Sequence, residues 1–185
     1  MLKPLSLALA LSLLSGRLAL AEDPRAEFLT RLFIDACIPN VGNPSGEEAW
    51  ADAQHLTKVQ DPAWLNVFAG PGKGSEAWTV PSSLGNFAVA IRGVTKACAV
   101  YAQSADPTEV QTNFERLVGG VARPGIVKST IKDTISPVKG GQAHTLAYDI
   151  KAEGASSSHV FMMIAVDHPG GLFQVELEAA KATAK

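Results

Sequence analysis

Residues 77–117, AWTVPSSLGNFAVAIRGVTKACAVYAQSADPTEVQTNFERL, read as three strands followed by a capped amphipathic helix. Phe87, Val89 and Ile91 alternate with Ala88, Ala90 and Arg92, and a period of two places the large side chains on one face of a strand. After the turn-prone residues 93–96, Cys98, Val100 and Ala102 alternate in the same way with Ala99, Tyr101 and Gln103. The run 78–80 upstream meets Pro81, which has no N–H for a ladder and marks a strand end or an edge. An apolar strand face needs a cover, and a helix follows at once. Asp106 caps it, Pro107 suits its first position, and Glu109 sits three residues after the cap. Val110, Phe114, Leu117, Val118 and Val121 repeat at helical spacing as one apolar stripe, with Gly119 and Gly120 as the stop.

Working outward to the N-terminal side, Asp23-Pro24 opens a helix by the same logic, with Phe28, Leu29, Leu32, Phe33 and Ala36 on its apolar face and Cys37 at its end. Pro39 and residues 42–46 break the chain, and Ser45 with Glu48 makes a capping-box pattern before Trp50, Ala53 and Leu56. Residues 60–75 read as turn and loop, and Trp64 and Trp78 as core or rim packing rather than ligand platforms. On the C-terminal side four strands are expected at 127–136, 143–151, 159–167 and 172–179, separated by good turn formers and therefore antiparallel. Residues 160–166 are apolar at both parities, which predicts a central strand covered on both faces. The tail from Ala180 has no anchor and is expected to fray. The fold class is α+β: an antiparallel sheet of about seven strands, with an N-terminal helical region and one central amphipathic helix packed on the sheet.

Residues 1–21 have the plan of a secretory signal, with Lys3 as the basic start, an apolar run at 5–14, and Ala19-Leu20-Ala21 as the cleavage site. The apolar run is too short to span ~30 Å of hydrocarbon, so no membrane anchor is expected after cleavage. Loss of Lys3 and Arg17 with the leader leaves 14 basic against 18 acidic residues, a formal charge of −4. With no long run of either sign, that charge argues against a nucleic-acid partner. Residues 22–185 are read as one domain, exported to the periplasm or secreted. Two cysteines in an oxidising compartment predict one bridge, Cys37 to Cys98, because neither has the spacing of a redox CxxC pair. It would close a loop of about 60 residues.

The runs GKGSEAW at 72–78, NFAVAI at 86–91 and CAVYAQSADPTEVQTNFERL at 98–117 resemble a family of small uncharacterised exported proteins and lipoproteins of proteobacteria, in which a strand-borne cysteine precedes an acidic-capped helix. The resemblance covers the middle of the chain and implies no catalytic residue, since no activity is assigned to that family. This chain departs from the lipoprotein members in lacking a lipobox cysteine.

Chemistry-bearing residues are few. If the hairpin centred on Ala155 pairs Val166 with His144, then His144, Asp167 and His168 gather at one end of the sheet, with Asp133 across the preceding hairpin. That is a weak candidate cluster for a metal or for acid/base work, without a metal-site spacing. Ser156, Ser157 and Ser158 have no GxSxG elbow and lie about 20 Å from His144 for six residues of strand. Residues 70–75, GPGKGS, lack the spacing of a phosphate loop and precede a strand. No catalytic residue and no cofactor are assigned. The reading is an exported non-enzymatic binding protein, such as an inhibitor, an immunity factor or an envelope accessory protein, whose partner is another envelope or secreted protein. The alternative is a small metal-dependent or acid/base hydrolase using His144, Asp167 and His168.

Overall fold

Each of the four α-helices among the described residues begins on a proline. Helices α1 (Pro24–Ala36), α3 (Pro62–Ala69) and α4 (Pro107–Gly119) follow Asp23, Asp61 and Asp106, whose carboxylates accept first-turn backbone N–H groups, while α2 (Pro44–Ala53) follows Asn43. Proline presets φ and lacks an N–H that would be unpaired there anyway; aspartate satisfies some of the rest. The computed structural model describes residues 22–121, 123–138, 141–167 and 172–183. The leader and His168 lie outside them. Among the described residues no helix is long and apolar enough to cross a membrane.

The strands are β1 (Thr57–Lys58), β2 (Glu76–Val80), β3 (Phe87–Arg92), β4 (Ala97–Ala102), β5 (Ile126–Val138), β6 (Gly141–Ala152), β7 (Ser157–Val166) and β8 (Val175–Thr183). They form one antiparallel sheet in the order β1-β2-β3-β4-β8-β7-β6-β5. The protein is therefore α+β. Two four-stranded meanders meet where β4 pairs with β8, and α4 carries the chain from the middle of the sheet to its far edge. The strand count is eight rather than seven because Thr57 and Lys58 add a two-residue edge, too short for a period to show.

One sheet face is built from Phe87 and Val89, Cys98 and Val100, Leu177 and Ala179, Phe161 and Met163, and Leu146 and Tyr148, and it packs against Leu29, Phe33, Val110 and Phe114 of α1 and α4. Each large side chain buried there contributes on the order of 2 kcal/mol. The two helices are joined at their N-termini, where Asp23 Oδ2 accepts the Asp106 N–H at 2.7 Å and the Asp23 N–H reaches Glu109 Oε2 at 2.5 Å. Burial opposes the charge of Asp23, yet the hydrogen bonds from Arg25 and from the Asp106 backbone hold its carboxyl below the ordinary value. At the other end of α1, Cys37 meets Cys98 of β4 at disulfide distance, with Cα atoms 5.3 Å apart.

The opposite face is covered by α3 over β2, β3 and β4, where Ala77, Ala88, Ala90 and Ala99 make a floor of small residues that lets the helix sit close. Among the described residues nothing covers that face beyond α3 and Phe173, which corrects the expectation for β7. The strand is central, but only Phe161, Met163 and Ala165 lie under helices; Val160, Met162 and Ile164 are half-buried among neighbouring strands. Three further expectations change. Residues 62–69 are helix, not loop. Helix α2 starts at Pro44, and neither Ser45 nor Asn43 makes a side-chain cap. Residues 180–183 continue β8, held by pairing with β7 as far as Thr183 opposite Ser157. The far edge, β5, is almost wholly exposed; a bulge between Thr130 and Lys132, together with Lys128 and Pro137, discourages further strand pairing.

Candidate functional site

The cluster expected around His144 is assembled in part. Hairpin β6–β7 pairs His144 with Ala165, not with Val166. The one-residue difference matters, because side chains alternate faces along a strand. In the observed register Asp167 shares the face of His144, whereas opposite Ala143 it would have pointed away. Asp133 lies on the same face from β5, and its Oδ1 is 2.9 Å from His144 Nε2. Together with Pro107, Thr108 and Gln111 of α4, His144 and Asp167 line an open cleft of about 400 Å³. The pair is a hydrogen-bonded imidazole and carboxylate at a wet rim: the Asp133 side chain is 64% exposed. Among the described residues no group of three or more His, Cys, Asp or Glu is placed to hold a metal ion.

A more apolar groove lies where the sequence predicts a loop. Asp61 Oδ1 accepts the Ala63 and Trp64 N–H groups at 2.8 and 3.2 Å, starting α3, and Gly70, at φ 70°, ends it. Trp64 and Phe68 are four residues apart, so they project from one side of the helix. Their rings stack at 5.8 Å and 19°. Phe68 then meets Tyr101 of β4 at 5.2 Å, and Tyr101 meets Phe173 at 5.1 Å. This aromatic ladder lines a groove of about 370 Å³ between α3, the β1–α3 connection and the ends of β2, β3 and β4, with Val80, Phe87 and Leu172 completing its apolar wall. Trp64 remains 43% exposed and Leu172 55%. Asn86 and Gln103 stand at the rim, with Asn86 Nδ2 donating to Gln103 Oε1 at 2.6 Å.

The floor of this groove is fixed from behind. The Tyr101 hydroxyl donates to the Phe68 carbonyl at 2.5 Å, which ties the last turn of α3 to the sheet. The same hydroxyl accepts from Arg92 at 3.0 Å, and the Arg92 guanidinium bridges Glu176 and Glu178, the latter at 2.6 Å. Burial raises the Tyr101 phenol well above its ordinary value, so it stays neutral. Burial also pushes the Glu178 carboxyl up to about 7; Arg92 opposes that shift and Glu176 reinforces it. One cation thus faces two carboxylates. The ladder is anchored by a charged network of which Tyr101 lines the groove while Arg92, Glu176 and Glu178 stand behind it, an arrangement that suits a preformed site.

Trp78 packs in the core at 3% exposure and Trp64 at the groove rim; what the sequence hid is the helix that carries Trp64. The signal that would have found it was present: Asp61-Pro62 repeats the dipeptide read correctly at residues 23–24 and 106–107. Residues 62–69 hid it because PAWLNVFA is apolar nearly all round and shows no stripe. No protein-family model, curated protein or solved structure matches this chain, so the site rests on its geometry.

Proposed function

We propose that this is an exported, non-enzymatic binding protein, such as an inhibitor, an immunity factor or an envelope accessory protein, and that the aromatic groove under α3 is its binding surface. The observation that carries the reading is the exposed Trp64 ring, stacked on Phe68 and rooted through Tyr101 in the sheet. A large aromatic left half in water beside an apolar cavity is what partners bury as an anchor, and tryptophan and tyrosine dominate such anchors. Export is supported by the leader pattern and by the placement of Cys37 beside Cys98. The hydrolase alternative has one observation of its own, the 2.9 Å contact between His144 and Asp133.

The two readings separate in one experiment. The mature protein is used to capture its partner from envelope extract in parallel with Trp64→Ala and with His144→Gln combined with His168→Gln. The proposal expects stoichiometric capture that Trp64→Ala abolishes and the double histidine variant leaves unchanged. Loss of function in the folded histidine variant, with capture indifferent to Trp64, would replace the binding reading with the enzymatic one.

A further inference from the structure

Charge and chemistry in the groove narrow what enters it. Among the described residues, and besides Tyr101, whose hydroxyl is engaged with Phe68 and Arg92, Asp61 is the only ionisable residue of its lining, with no lysine, arginine or histidine. Asp61 Oδ1 is occupied by the α3 amides, which leaves Oδ2 for an incoming donor. The Asn86 side-chain carbonyl adds a neutral acceptor, since its amide nitrogen is the group given to Gln103. An anion would find no counter-charge among these described residues. A cation finds a carboxylate, a carbonyl and the π faces of Trp64 and its neighbours, which attract positive charge.

The protein uses the same combination elsewhere. Lys58 lies over the Trp78 ring at 5.7 Å while its ammonium pairs with Glu76 at 2.8 Å, and Lys128 lies over Tyr148 at 4.3 Å. The apolar wall of Val80, Phe87 and Leu172 suits the aliphatic stem of such a side chain. Next to the groove runs β1, which among the described residues pairs only with β2 and so offers an edge for the backbone of an extended segment. The excess of acidic over basic residues favours encounter with a positively charged partner.

Resting on the proposal that the groove is the binding surface, we infer that it receives an arginine or lysine side chain of the partner protein, flanked by apolar residues on an extended segment. The test uses blocked pentapeptides of sequence Ala-Leu-Xaa-Leu-Ala in which the central residue is arginine, glutamine or glutamate, titrated by calorimetry into the mature protein. The arginine peptide binds about tenfold tighter than the glutamine peptide, and the glutamate peptide binds weakest. Asp61→Asn preserves the helix cap, because asparagine caps as well as aspartate. It removes most of the arginine preference while leaving the glutamine peptide unaffected, and Trp64→Ala weakens all three. Preference for glutamate, an arginine preference unchanged in Asp61→Asn, or no binding of the arginine peptide at millimolar concentration each overturns the inference. Free butylguanidinium binding as tightly as the arginine peptide would assign the site to a small cation and overturn the peptide part. Failure here with Trp64-dependent capture intact rejects only the ligand chemistry; capture indifferent to Trp64 rejects the groove itself.

Discussion

Glu47 is a carboxyl group inside the protein with 1% of its surface exposed and neither oxygen hydrogen-bonded to another described residue. Burial pushes it up to about 8, from an ordinary value of 4.5. The folded chain therefore keeps a proton that the unfolded chain releases across that interval. Its contribution to stability is complete below about pH 4.5 and is lost progressively until about pH 8, at roughly 1.4 kcal/mol per pH unit at most. Glu178, raised to about 7, acts in the same direction, so it leaves a residual slope when Glu47 is removed. Urea unfolding of Glu47→Gln across this range is expected to show a flatter pH dependence than wild type and a higher midpoint at the alkaline end. Parallel curves for the two proteins would contradict the buried, unpartnered carboxyl. The sequence hides this residue, because Glu48 completes a capping-box pattern with Ser45 and the apolar spacing falls on Trp50 and Ala53. The buried positions of α2 are instead Glu47 and Ala51, and a glutamate on the core side breaks the pattern that periodicity relies on.

At the level of elements, the caps were the most legible feature and the short or two-sided segments the least. Asp23-Pro24 and Asp106-Pro107 placed two helices correctly because cap and apolar stripe agree there; at Asp61-Pro62 the cap stood alone. In β7 both parities are apolar, but a strand can acquire that pattern from neighbouring strands as well as from a second covering layer. The joined helix starts permit a sharper statement. Asp106→Ala removes one acceptor, from the Glu109 N–H, and costs about 1 kcal/mol. Asp23→Ala removes the α1 cap and also the acceptor for the Asp106 N–H, so it costs about twice as much, and the two changes combine less than additively. Chemical denaturation of the single and double variants measures this directly. Equal single costs that simply add would show that the two caps work independently.

For the molecule as a whole, local signals specified antiparallel strands and a covering helix but not the pairing of β4 with β8, because nothing local to either strand records a partner about 80 residues away. Cys37 and Cys98 were legible as a pair only because there are two cysteines, and they fix α1 to the centre of the sheet across a separation of 61 residues. Replacing both with serine is expected to cost about 4 kcal/mol in the chain-entropy model, and the oxidised folded protein should present no free thiol. Ready alkylation of both cysteines in the folded state would refute the bridge. The groove was illegible for a related reason: it is assembled from the β1–α3 connection, three strand ends and Phe173, which only the tertiary fold brings together. The central claim is that this groove is where the protein meets its partner. Hydrogen–deuterium exchange of the mature protein with and without the captured partner locates the contact surface directly. The account predicts new protection in residues 59–69 and 172–175, with β5 and the cleft beside His144 unchanged; protection confined to that cleft or to β5, leaving α3 as it was, would contradict it.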